Sequence, residues 1–203
     1  MGFDPGSLLT TSALLTAIIG LSLQETLGNL FAGLAIQTEH PFDLGDWILV
    51  EQDEAHAGKV TEINWRATKI LTIDHVEVIV PNAVLARTPL RNFSQPTPIS
   101  RRVVEVRAPY DVPPREVFRA LVKSARGIDG VCARPAPDAQ LCEFLESAVL
   151  YRVIYFIDRF DQRYAIDSAV RSRIWYALKR AGIATAFPVR DVRMTDVTTR
   201  HEI

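Results

Sequence analysis

A chain of 203 residues with 48% hydrophobic and 23% charged side chains has room for one or two compact domains and a sizeable core, which excludes a disordered polypeptide and one that needs disulfides to fold. Its net charge of −1 excludes a strongly basic or acidic protein, but the charge is unevenly spread. Eight acidic residues and no Lys or Arg precede Lys59, which predicts an acidic surface or mouth near the N-terminal segment and a mildly basic body after it.

The first element is a helix. No side chain is charged between residues 5 and 24, and residues 8–23 are mostly Leu, Ile, Ala and Thr. About twenty residues rising about 1.5 Å each cross a hydrocarbon core, and residues 27–36 extend the run as an amphipathic piece. A signal peptide opens on basic residues, and Met1-Gly2-Phe3-Asp4 has none. A buried helix of a soluble protein shows a polar face, and only Ser, Thr and Gln offer one here. The reading is a membrane-embedded helix, although neither flank carries the basic residues that would orient it.

Within it, Ser12, Thr16, Gly20, Gln24, Gly28 and Ala32 recur every four residues along one gently drifting stripe. Small residues let helix backbones approach closely in lipid. One such helix per chain must meet other chains, which predicts a homo-oligomer. Beside the stripe lie Leu14, Ala17 and Leu21, spaced for one face. In a ring of copies, Leu21 would form an apolar constriction that gates by dewetting. Glu25 either marks the membrane boundary or forms a ring of carboxylates that favours cations.

Pro41 ends the helical pattern. Strands are expected at 47–51, 58–65, 67–73 and 76–80, with Asp74-His75 as a tight hairpin link, together a small β sandwich or barrel. Pro96-Thr97-Pro98 is a stiff connector. Beyond it a strand at 101–107, a helix from Pro113-Pro114 to Arg126, strands at 141–145 and 149–157, a helix at 161–181 and a strand at 189–194 follow one another. This order is the ferredoxin-like split βαβ pattern. In the first helix Val117, Ala120 and Leu121 face inward. In the second Ile166, Val170, Ile174 and Leu178 recur every four residues and Gly182 stops the run. The fold class is therefore a membrane α-helix plus α+β, with domains at 1–40, 41–96 and 97–203. Cys132 and Cys142 fit no zinc spacing and are expected as reduced core residues.

Several of these residues form a recognisable combination. Gly20-Leu-Ser-Leu-Gln-Glu-Thr-Leu-Gly-Asn-Leu-Phe-Ala-Gly33, which includes Gln24 and Asn29, is followed by His40-Pro-Phe-Asp-Leu-Gly-Asp-Trp47, which includes Pro41, Phe42, Gly45 and Asp46. Val80-Pro81-Asn82 closes a strand, and Asn92-Phe93-Ser94 ends the β domain. From about residue 12 to 190 the chain resembles the small-conductance mechanosensitive channel (MscS) family. Residues 171–182, with Trp175 and Tyr176, are most similar to the bacterial branch that often carries a cyclic-nucleotide-binding domain.

The resemblance implies a homo-heptamer in the bacterial inner membrane, a pore lined by a kinked helix, a cytoplasmic vestibule, and release of ions and small osmolytes under tension in contact with membrane lipid. It places Leu21 at one of two sealing leucines and Ala17 at the other, with Leu14 or Ile18 as substitutes. Gly20 matches a pore-packing glycine. Glu25 stands where the prototype helix kinks at a glycine, and Gly33 matches a second, distal glycine. The family carries at least two membrane helices before the pore helix, so the resemblance also implies that the chain is truncated at its N-terminus or relies on partners, and that it ends short of any nucleotide-binding domain.

Two rival functions are weaker. His40, His56, His75 and His201 show no metal spacing, no phosphate loop or Ser/His/Asp pattern stands out, and residues 127–130 read as a turn, so no enzyme and no cofactor is expected. A soluble β-barrel or ferredoxin-like module binding protein or nucleic acid would need a basic surface with aromatic platforms. Arg101, Arg102, Arg171 and Arg173 are modest clusters without one, and they read as solvated faces or subunit contacts. No nucleic-acid partner is expected.

Overall fold

The computed structural model describes residues 5–50, 57–184 and 187. The chain divides into two compact units, residues 1–99 and 100–203.

The first unit opens with helix α1, Pro5–Glu39. Its hydroxyls are absorbed by the helix itself: Thr16 Oγ1 donates to the Ser12 carbonyl and Ser22 Oγ to the Ile18 carbonyl, each at 2.8 Å. This back-bonding leaves few unpaired polar groups on a surface that lacks charge. The helix stops where the chemistry says it should. Pro41 has no N–H to offer, and His40 takes a left-handed φ of 48° just before it. His40 N still donates to the Ile36 carbonyl, closing the last turn.

Strands β1 (Trp47–Val50), β2 (Gly58–Ile63), β3 (Ala67–Thr72), β4 (Glu77–Pro81) and β5 (Leu90–Asn92), with a single-turn helix α2 (Asn82–Leu85) between the last two, form one antiparallel sheet in the order β4-β3-β2-β1-β5. The hairpin turn between β3 and β4 uses His75 at φ 59°. Ile48, Val50, Val60 and Ile70 pack with Phe42 and Leu85 into the core of this sheet, and Ile36 from α1 joins them. The far end of the apolar helix is thus a structural part of the β unit.

In the second unit, β6 (Ser100–Ala108), α3 (Pro114–Ala125), β7 (Asp138–Phe144), β8 (Val149–Ile157) and α4 (Arg163–Arg180) follow in order. The sheet runs β6-β8-β7, so the first and third strands of the split pattern lie side by side. The expected closing strand at 189–194 lies outside the described residues. Tyr151, Val153, Tyr155 and Ile157 face Val117 and Leu121 of α3 and Ile166, Val170 and Ile174 of α4, all buried. The four-residue repeat in α4 is the stripe that meets the sheet. One ionic contact fixes α4: Arg102 grips Asp167 with two nitrogens, at 2.6 and 3.3 Å, while Tyr155 Oη donates to the same carboxylate at 2.5 Å. Burial pushes the Asp167 carboxyl up, but the guanidinium and the phenol outweigh it, and its pKa lies below the usual range.

The cysteines are both free, but they are not core residues. Cys132 is half-buried. Cys142 is exposed because a bulge between Leu141 and Glu143 skips it in the pairing of β7 with β8.

Candidate functional site

The residues singled out along α1 separate into two groups. Every residue from Leu9 to Leu27 is exposed. Leu14, Ile18 and Leu21 are 62%, 52% and 73% exposed, and Ala17, Gln24 and Glu25 are exposed beside them. Ser12 and Thr16 are also exposed, and a Cβ added at Gly20 or Gly28 would meet nothing within 4 Å. Among the described residues, none outside the helix buries this stretch. It is also the one helix among the described residues long and apolar enough to cross a membrane.

The last three turns differ. Asn29, Ala32 and Ile36 are buried, at spacings of three and four. The Asn29 side chain accepts the Ala83 N–H at 2.9 Å and donates to the Glu25 carbonyl at 3.0 Å, so it ties the helix to the start of α2. A Cβ on Gly33 would stand 2.7 Å from the Trp65 carbonyl oxygen and 2.7 Å from Asn82 Nδ2. Only a glycine allows that approach. The stripe of small residues is therefore not uniform: its upper members are open, and Ala32 packs into its own chain. The face carrying Leu14, Ile18, Leu21 and Glu25 continues, at the same spacing, into the docked residues Asn29, Ala32 and Ile36.

α1 is one uninterrupted α-helix through both Glu25 and Gly33. Glutamate is a good helix former where glycine is a poor one.

The remaining motif residues hold the β unit together. Asn82 is fully buried. It accepts from Thr68 Oγ1 at 3.0 Å, donates Nδ2 to the Asn64 carbonyl at 2.8 Å, and its N–H reaches the Arg66 carbonyl at 2.9 Å. Pro81 before it caps nothing with its side chain but ends β4 and starts α2. Asp46 Oδ2 accepts from the Asp43 N–H, Asn92 Nδ2 and Gln95 Nε2, each at 2.9 Å. Asn92 also donates to the Pro41 carbonyl at 3.2 Å and accepts the Ser94 N–H at 2.8 Å. Ser94 Oγ accepts the Trp47 N–H at 3.0 Å, and the Phe93 N–H reaches the Trp47 carbonyl at 2.8 Å. Gly45 takes a φ of 95° and donates to the Val60 carbonyl at 2.8 Å, while Phe42 plugs the core beneath. Residues spaced about fifty apart in sequence thus close one polar knot where α1 enters the β unit.

Sequence reasoning missed Gln95, Asp43, Trp65 and Thr68 as partners in these networks. Pairing across the sheet decides their neighbours, and no local spacing reveals it. Among the described residues no group of three or more His, Cys, Asp and Glu is placed to hold a metal.

The comparisons with known proteins agree with one another. Residues 25–95 match the family model of the mechanosensitive ion channel β-domain, and residues 102–185 match that of the C-terminal domain of the mechanosensitive ion channel MscS. The chain is 28% identical over 194 residues to the miniconductance mechanosensitive channel MscM of Escherichia coli, covering 96% of this chain and 17% of that protein. It is 27% identical over 196 residues to the small-conductance mechanosensitive channel MscMJ of Methanocaldococcus jannaschii, covering 95% of this chain and 55% of the relative. The chain thus spans about half or less of the length of these relatives, which are ion channels rather than enzymes. The fold is that of Helicobacter pylori MscS in its closed state, with a TM-score of 0.83 at 20% identity over 96% of this chain and 76% of the other. It is also that of Arabidopsis thaliana MSL1, with a TM-score of 0.70 at 21% identity over 93% of this chain and 66% of the other.

Proposed function

The chain belongs to the MscS family of mechanosensitive ion channels, and from that premise we propose that it is a pore-forming subunit of a homo-oligomeric, heptameric channel in the bacterial inner membrane, with its C-terminal body in the cytoplasm. The channel passes ions and small osmolytes under osmotic stress. One observation carries this reading: a helix of membrane length, apolar and exposed on every side from Leu9 to Leu27, is anchored at its far end in a folded β unit by Asn29, Gly33 and Ile36. Exposed apolar surface of that extent is stable only against lipid or other copies.

Leu21 is the seal, with Leu14, Ala17 and Ile18 lining the same face. Glu25, one turn further on, lines the water-filled mouth, where a carboxylate ring favours cations. Gly20 and Gly28, with Ser12 and Thr16, give neighbouring helices room to approach. The motif residues from Gln24 through Ser94 set the angle at which the helix leaves the β unit. Assignment to the branch related to cyclic-nucleotide-gated channels rests on residues 171–182 and is part of the same proposal.

The test is the mass of the chain in detergent, paired with bilayer recordings under applied pressure. A ring-sized mass, pressure-dependent openings and a raised resting leak in Leu21→Ser are expected. A monomeric mass without detergent, or an unchanged leak in Leu21→Ser, refutes the pore reading.

A further inference from the structure

Helices α3 and α4 lie side by side, and between them runs an open groove of about 940 Å³. Its floor is made of small side chains, Ala120, Ala177 and Ala181, which is why the helices leave a hollow there. Its walls are cationic. Arg119 and Lys123 stand one turn apart on α3, and Arg173 and Arg180 two turns apart on α4, against the single carboxylate of Glu116. All four cations are exposed, and the side chains of Arg119, Lys123 and Arg180 enter no ion pair among the described residues. Elsewhere in this unit Arg102, Arg152 and Arg159 each have a carboxylate partner.

Like charges at i and i+4, as in Arg119 and Lys123, oppose the helix that carries them. Four exposed cations line one hollow with a single carboxylate, so an anion among them would relieve their mutual repulsion. Arg173 is already oriented, since its Nη1 donates to the Arg126 carbonyl at 3.1 Å and the Gly127 carbonyl at 3.4 Å. Tyr176 adds a flat ring to the wall, more than half exposed and held edge-on against Trp175. The volume lies within the range of about 300–1,000 Å³ typical of small-ligand sites.

We propose that this groove is a binding site for a phosphate-bearing anion of nucleotide size, with Arg119, Lys123, Arg173 and Arg180 on the phosphates and Tyr176 beside any attached ring. Guanidinium forks match phosphate oxygens two at a time, which lysine and water do not. The site stands independently of the pore and would report a soluble metabolite or a lipid headgroup to the body of the protein.

The 203-residue chain in detergent is titrated calorimetrically with sodium triphosphate and with ATP, and bound ATP is then challenged with phosphatidylglycerol added to the micelles. Saturable binding is expected for at least one probe. It should weaken about tenfold in the double variant Arg119→Gln, Arg180→Gln, since each exposed ion pair contributes roughly a factor of two to five, and stay unchanged in Arg91→Gln on β5. Tighter binding of ATP than of triphosphate that Tyr176→Ala abolishes identifies a nucleotide. Displacement by phosphatidylglycerol identifies the headgroup as the source of the same phosphate. Absence of saturable binding by all three probes, or binding that the double variant leaves intact, overturns the proposal. So does a double variant that loses oligomer mass while the parent binds no probe, because the groove is then a contact between copies.

Discussion

Gly33 on α1 is closely packed where Gly20 and Gly28 are open, and replacing each with alanine separates contacts made inside the chain from contacts made to neighbours. A Cβ at position 33 would lie 2.7 Å from the Trp65 carbonyl oxygen, where ordinary contact begins at 3.4 Å. Something must move by about 0.7 Å, and neither neighbour yields easily. The Trp65 oxygen belongs to the backbone, and Asn82 Nδ2 is held by the Asn64 carbonyl at 2.8 Å. Overpacking of this kind costs about 1–3 kcal/mol. Disturbing a buried, fully bonded amide costs about 1–3 kcal/mol more, and alanine returns about 1 kcal/mol as the better helix former. The net is a loss of about 3 kcal/mol, felt where α1 meets the β unit. Hydrogen exchange reads it directly: the Ala83 N–H, which donates to Asn29, should exchange about a hundredfold faster in Gly33→Ala. Gly20→Ala and Gly28→Ala meet nothing within 4 Å, so neither should change that rate. If Gly20→Ala lowers the oligomer mass in detergent, the clash is with another copy. An Ala83 amide equally protected in Gly33→Ala and the parent refutes the reasoning, and so does one equally exposed in all three variants.

Further outcomes follow from single contacts. Asp167→Ala takes its carboxylate from the largely buried Arg102 guanidinium and should cost about 3–5 kcal/mol in urea unfolding of the second unit. Because the folded pKa of Asp167 is depressed, its contribution is fully present above an unfolded pKa of about 3.9 and is lost as pH falls through the lower folded value. The acid limb of the stability curve should flatten in Asp167→Asn. Asn29→Ala removes the acceptor of the Ala83 N–H and should cost about 1–2 kcal/mol, while Asn29→Asp keeps the oxygen and most of the protection of that amide from exchange. Glu25→Gln should shift the reversal potential in a salt gradient toward less cation preference; an unmoved potential removes Glu25 from the conduction path.

Much of this architecture was legible in the residues. A charge-free run of membrane length can only be an apolar helix, Pro41 can only end it, and the repeat of Ile166, Val170, Ile174 and Leu178 can only be a buried stripe. These are local properties, determined by period and by missing donors. The short elements were not legible: α2 spans four residues and β5 three, and neither length carries a periodic signal. Helix α1 runs unbroken through Glu25, a residue that supports a helix which glycine would loosen.

The candidate site shows the same division. By itself the sequence determined that an uncharged helix needs lipid or partners, and it marked Asn29, Gly33, Asp46, Asn82 and Asn92 as residues to explain. Only the tertiary structure decided what they do. Gly33 makes room for the Trp65 carbonyl, Asn82 stitches β3 to the start of α2, and Asp46 draws Asp43, Asn92 and Gln95 into one knot. The reason is physical. A hydrophobic period is written along one stretch of chain, whereas a hydrogen bond between residues about fifty apart exists only after the sheet has chosen its register.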